Sequence, residues 1–261
     1  MEAAYFWKIT TKAPRHEEEI KVRDAAASAK QGLWRRRYHR QNRGRVFTSE
    51  SIRLPMISGN AAISQGGIPR SAEILLAAVS IIVCLPLLFV IALAIKLQDG
   101  GPILYRARRV GRGGAEFMFL KFRSMVINAD KLGGGLTTST DDRITTLGKI
   151  LRQYKMDELP QLFNVLLGDM SFVGPRAEDP RYVALYTPEQ LELLTVRPGI
   201  TSPASLAYRN ESTLLTGEQW EETYISQILP RKLSMELEYL RNRSVRGDLT
   251  LIFKTIASMF S

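Results

Sequence analysis

The sequence predicts a mainly helical α+β fold: a re-entrant membrane helix–break–helix, a small β-hairpin and a set of cytoplasmic amphipathic helices. Three observations carry this. Residues 74–95 run 22 positions without a charge, around Pro86. Two short runs, 103–108 and 117–122, flank Gly111-Arg112-Gly113-Gly114 as strands flank a hairpin turn. Further on, apolar residues recur at helical spacing, with 218–241 the longest stretch.

The apolar run is long enough for a membrane. A proline inside a helix removes a backbone donor and clashes with the preceding turn. The run therefore reads as two short helices of about 12 and about 10 residues, each about 15–18 Å long and too short to cross alone. Basic residues crowd both flanks: Arg35, Arg36, Arg37, Arg40, Arg43, Arg45, Arg53 and Arg70 before, Lys96, Arg106, Arg108, Arg109 and Arg112 after. Basic flanks favour the cytoplasmic side, so a hairpin that dips in and returns suits both ends. A kinked single span and a buried core helix are the alternatives.

Composition narrows the chemistry. Residues 1–60 hold 13 Lys/Arg and 6 Asp/Glu, so +7 of the net +10 lies there. Such balance favours anionic partners, and beside a membrane segment these are lipid and phosphate. The aromatic and arginine mix of 34–45 raises nucleic acid as another partner; a solvated tail explains it as well. Cys84 is the lone cysteine, so no internal disulfide and no cysteine zinc site can form. Both histidines, His16 and His39, lie in the tail. Acid–base or nucleophilic work elsewhere falls to carboxylates, Lys, Arg, Tyr or Ser. The organisation expected is a basic extension (1–67), a membrane hairpin (68–98) and a catalytic domain (99–261).

After the hairpin, 98–102 reads as a glycine-rich turn and 124–130 as helical. The stretch 133–140 is a loop, and no Gly-Lys-Ser/Thr makes it a phosphate-binding P-loop. Asp142 or Thr145 opens a helix with Leu147, Ile150, Leu151 and Tyr154 on one face. Pro160 opens a second that Gly168 closes. Thr187-Pro188 starts another, ending near Thr195. The 218–241 helix is interrupted at Pro230. The last, 249–260, suits either the membrane interface or a docked core position.

Asp157 and Glu158 sit just before a helix N-terminus, a place that suits phosphate or a metal-bridged carboxylate. Arg152 and Lys155 precede them and Arg176 follows. Taken alone, such a pair is as well explained by capping and a surface ion pair. Lys121 and Arg123 alternate around Phe122 and are expected to face one way.

Four motifs in order change the balance: Lys121-Phe122-Arg123-Ser124-Met125, Asp157-Glu158-Leu159-Pro160-Gln161-Leu162-Phe163-Asn164-Val165, Gly168-Asp169-Met170-Ser171-Phe172-Val173-Gly174-Pro175-Arg176, and Arg197-Pro198-Gly199-Ile200-Thr201. Together, over about 68–260, they resemble the bacterial sugar transferase family, the monotopic polyprenyl-phosphate phosphoglycosyl transferases. The resemblance implies a two-step phosphoryl transfer in the bacterial inner membrane, with the catalytic domain cytoplasmic. Asp157 matches the nucleophile that attacks a UDP-sugar, expels UMP and holds the phosphosugar until polyprenyl phosphate takes it. Glu158 matches the second acid, which assists or orients the acceptor. Lys121, Arg152, Arg176 and Arg209 match basic, substrate-binding positions, and Pro86 the membrane break. Mg²⁺ at Asp157 is the implied cofactor; membrane lipid is a partner and nucleic acid is not. Leu85 before the proline and Ser202-Pro203-Ala204-Ser205 after the last motif depart from the commoner pattern. A non-catalytic membrane adaptor and a nucleic-acid-binding membrane protein are the competing functions.

Overall fold

A computed structural model of the chain describes residues 66–129, 141–214 and 220–260. The basic extension up to residue 65, with its 34–45 patch, and the glycine loop 133–140 lie outside the described residues.

Helix α1, Arg70–Asp99, is 30 residues long, about 45 Å at 1.5 Å per residue. Glu73 lies in its first turn. Gly100, in the left-handed region, returns its N–H to the Lys96 carbonyl and ends it, as the expected turn at 98–102 requires. The break expected at Pro86 is absent, because the helix runs on through it. An interior proline costs about 3 kcal/mol. Burying Leu88, Ile91 and Ile95 against Phe122 and Leu151 stabilises the far half by about 1.5–3 kcal/mol per side chain. Ala77 anchors the near half against Leu162 and Val165. Packing on both sides of the ring therefore outweighs the lost bond. The opposite face stays apolar and exposed: Leu75, Val79, Ile82, Val83, Phe89, Val90 and Leu97.

Strands β1, Leu104–Val110, and β2, Glu116–Phe122, pair antiparallel with Leu104 opposite Phe122 and Val110 opposite Glu116, the hairpin the sequence predicts. The turn is a 3-10 turn, Arg112–Gly114, in which Gly113 takes φ 70°, a conformation that favours glycine. Residues 124–128 are not part of the helix expected over 124–130, although Ala129 is helical. Met125 bridges Ile144, and Thr145 N–H donates to the Ser124 carbonyl. That backbone pairing satisfies groups a helix would have used.

Helix α2, Thr146–Gln153, starts where Thr145 caps the Gly148 N–H. Leu147 and Leu151 face the core, while Ile150 and Tyr154 are exposed. The expected four-residue face narrows to an i, i+4 pair. Helix α3, Gln161–Leu167, begins after Pro160 and ends at left-handed Gly168, as expected.

Beyond it, β3, Ser171–Val173, pairs in parallel with β4, Gly199–Thr201. Between them lie α4, Pro180–Val183, and a 3-10 helix, Gln190–Thr195. The latter starts later than the expected helix, because the Thr187 N–H is capped by the Gln190 side chain. Helices α5, Pro203–Ala207, and α6, Glu211–Leu214, follow. The long C-terminal helix is α7, Trp220–Thr223, a π-helical stretch Tyr224–Ile228, and α8, Leu229–Arg241. The interruption expected at Pro230 thus takes the form of a π-helical stretch just before it, where the chain absorbs a missing donor.

Helix α9, Val245–Ser258, is capped by Ser244. Its inner face is docked: Asp248, fully buried, accepts from Tyr239 Oη at 2.7 Å and from the Ile68 N–H at 3.0 Å. Its outer face presents Leu249, Phe253 and Ile256 to solvent, with Phe260 beyond. The docked position therefore holds for the inner face, while the outer face is apolar and exposed.

Two cores position the site. Leu229, Leu233, Leu237 and Leu240 of α8 pack on Tyr182, Leu193 and Tyr224. Phe119, Leu162, Val165, Met170 and Val173 pack on Ala77.

Candidate active site

The acidic pair lies on a 3-10 turn, Met156–Glu158, between α2 and α3. The chain enters it through Lys155 at φ 56°, a left-handed conformation rare outside glycine. The two carboxylates meet different surroundings. Asp157 is 4% exposed, and its Oδ1 is buried without a hydrogen-bond partner. Burial pushes its carboxyl above the usual range and the neighbouring Glu158 adds to that; Lys121 and Arg152 pull the other way. Glu158 accepts from Lys121 Nζ at 2.6 Å and from Arg176 at 3.3 Å. Burial opposes its charge, but Lys121 and Arg176 outweigh it and hold the carboxyl well below the usual range. One acid is thus a fixed counter-ion and the other an unclaimed carboxylate. Such divergence marks separate roles.

Each basic residue arrives from a different element. Lys121 comes from β2, its Nζ 5.3 Å from the centre of the Phe119 ring. Arg123, expected on the same side, instead pairs with Asp99 at the end of α1. It lies one residue beyond the strand, where alternation no longer holds. Arg152, on α2, donates to Ser124 Oγ at 3.0 Å, and its charge reaches Asp157. Arg176 follows β3 and bridges to Gly199. Arg209 donates to the Gln153 carbonyl at 3.3 Å rather than to either acid. Pro86 lies inside α1, away from this turn.

The sequence reading gave no site role to three further residues. Lys155 is half-buried, and its charge is felt at both carboxylates. Burial pulls its own amine below the ordinary lysine value. Arg109 stacks on the Phe119 ring at 5.9 Å with its Nε buried and unpartnered. Glu236, on α8, accepts from Ser202 Oγ at 2.5 Å and from the Arg176 backbone N–H. The sequence signal for Lys155 was its place two residues from Asp157. Arg109 and Glu236 gave none, since both sit in runs of charge.

Glu236 yields a pH prediction. Burial pushes its carboxyl up to about 8. The folded state then holds a proton that the unfolded chain has released above about 4.3. Its contribution to stability is full at low pH and is lost as pH rises towards about 8. Glu236→Gln, a mimic of the protonated acid, is expected to leave the melting temperature unchanged at pH 5 and to raise it at pH 8. Melting curves of both proteins at the two values check this.

Among the described residues no three carboxylates, histidines or cysteines gather in a metal cage. The unpartnered Asp157 Oδ1 fits a single-carboxylate ligand for Mg²⁺, an ion that commonly takes one or two carboxylates and completes its shell with water and phosphate. A buried carboxylate with cations around it has the chemistry to receive a phosphoryl group.

Comparison with known proteins places the chain in a family. Residues 64–261 match the model of a family described as bacterial sugar transferase. An Aeromonas hydrophila protein named UDP-N-acetylgalactosamine-undecaprenyl-phosphate N-acetylgalactosaminephosphotransferase is 34% identical over 74% of this chain and 44% of its own. A Caulobacter vibrioides UDP-glucose:undecaprenyl-phosphate glucose-1-phosphate transferase is 37% identical over 74% of this chain and 69% of its own. The exopolysaccharide production protein ExoY of Rhizobium meliloti is 31% identical over 79% of this chain and 91% of its own. The chain thus spans under half of the Aeromonas relative and most of the other two.

Proposed function

The chain belongs to the bacterial sugar transferase family, and from that premise we propose that it moves a sugar phosphate from a UDP-sugar to undecaprenyl phosphate at the start of a polysaccharide. The observation that carries this is the buried, unpartnered Asp157 carboxylate beside a Glu158 already ion-paired twice. An Asp157 oxygen attacks the β-phosphorus of the donor. The bond from that phosphorus to the bridging oxygen breaks, and UMP leaves with the electron pair. A phosphate oxygen of the lipid acceptor then attacks the same phosphorus and frees the Asp157 carboxylate. No proton need move, because nucleophile, leaving group and acceptor are all oxyanions. Glu158 holds Lys121 and Arg176 in place, and the cations stabilise charge on the transferring group. Mg²⁺ at Asp157 Oδ1, when bound, would neutralise phosphate charge.

A UDP-sugar panel tests this. One donor is expected to release UMP in one burst without acceptor and continuously with undecaprenyl phosphate. Silence with every donor in the presence of acceptor sinks the reading.

The membrane arrangement follows from α1. At its start Arg70 bonds the Val165 and Met170 carbonyls and Glu73 bonds Ser171. At its end Asp99 grips Arg123 at 2.5 Å. Both ends are tied to the domain that carries Asp157, which supports an unbroken helix with both of its ends on the cytoplasmic side of the inner membrane. The exposed apolar faces of α1 and α9 meet lipid. In a Cys84→Ser background, Gly66→Cys and Glu116→Cys are expected to be equally shielded from an impermeant thiol reagent in intact cells. Labelling of one alone would show a crossing helix.

A further inference from the structure

Four cations surround the acidic pair, and three are engaged. Lys121 and Arg176 pair with Glu158, and Arg152 is held by Ser124. Lys155 differs. Its stem is half-buried and its charge acts on Asp157 and Glu158. Yet its amine makes no hydrogen bond or ion pair among the described residues. The two other cations it feels most, Arg176 and Lys121, repel it. A lysine held near two carboxylates that it does not pair with, and beside two cations, lacks an anionic partner. The backbone holds it there at some strain, since position 155 takes the left-handed conformation immediately before the catalytic turn.

A phosphoryl group supplies the missing partner. When Asp157 takes up the phosphosugar, the carboxylate is extended by a phosphorus bearing two non-bridging oxygens. The negative charge of the carboxylate then sits on those oxygens, and Lys155 is the one of the four cations without an oxygen already bonded among the described residues. We propose that Lys155 is a further catalytic residue of this site, binding the non-bridging oxygens of the transferring phosphoryl group while Lys121 and Arg176 remain with Glu158. Lys155 stays protonated and no bond to it forms or breaks. The assignment rests on the phosphosugar-transfer reading above. It adds a residue chosen by its geometry and its want of a partner.

The test compares full-length wild type, Lys155→Met and Lys155→Arg in detergent with the UDP-sugar that the panel identifies. The readouts are the rate of covalent adduct formation by intact mass, kcat and KM for the donor, and melting temperature. Methionine keeps the stem and removes the charge. Adduct formation is expected to slow by about a hundred- to a thousandfold, the range for loss of one donor to a developing oxyanion, through kcat more than KM. Arginine is expected to recover most of that rate. A Lys155→Met enzyme within tenfold of wild type overturns the proposal. An arginine variant as slow as the methionine one also overturns it, since the residue would then serve the turn and not the charge. Wild type that forms no adduct from any donor defeats the transfer reading itself, which the variants cannot do.

Discussion

Asp157→Asn is expected to abolish turnover, leaving less than about 1% of wild-type UMP release, because loss of about 3 kcal/mol of transition-state stabilisation already costs over a hundredfold. Asparagine has nearly the same shape and cannot hold a phosphosugar as a mixed anhydride. Intact-mass measurement should therefore find no adduct. Stability should not fall with activity. Asp157 Oδ1 has no hydrogen bond to lose, and burial already works against its charge. A neutral amide is expected to melt at the same temperature or higher, and to insert in membranes as wild type does. Residual turnover well above that level, with adduct on another residue, would move the nucleophile elsewhere.

Gly199→Ala is expected to be nearly as damaging, by a different route. Gly199 pairs with Ser171, bridges to Arg176 and donates its N–H to the Pro175 carbonyl. A Cβ there would stand 2.6 Å from the Gly174 carbonyl oxygen and closer still to its nitrogen. Both are backbone atoms with no rotamer to change, so β3 and β4 must part. Overpacking of this kind costs about 1–3 kcal/mol. Because Arg176 leaves β3 at that contact, its grip on Glu158 should loosen with it. The expected result is a lower melting temperature together with a kcat loss larger than unfolding explains at the assay temperature. Wild-type kcat in Gly199→Ala would show that the strand pair does not set Arg176.

Much of the site was legible in the sequence because its parts are local. Asp157, Glu158 and the helix after Pro160 are contiguous, and proline and glycine punctuate that helix at both ends. The hairpin was legible for the same reason, with alternation on both sides of a glycine turn. The parallel pair β3–β4 was not. Three residues are too few for a period to show, and their partners lie 28 positions apart. Segment 124–128 misled because nothing in its composition forbids a helix, while the pairing with 143–145 that prevents one is tertiary. Pro86 misled in the opposite sense. Its local penalty is real, but the packing that offsets it comes from Phe122 and Leu151. Glu236 was invisible as a site residue because only the fold brings α8 under Arg176.

Helix α1 also governs how the protein can be made. Its inner face completes the same cores that Phe119, Phe122, Leu151 and Leu162 build. Cutting it away would not release a water-soluble enzyme; it would uncover those side chains. Synthesis runs in the awkward order, since Ala77, Leu88 and Ile95 leave the ribosome well before residues 119–165 arrive to cover them. Until then the helix has apolar surface on every side and lipid is the one solvent that suits it. On the proposed function, the membrane would act first as a holding place during biogenesis and only afterwards as the source of the acceptor.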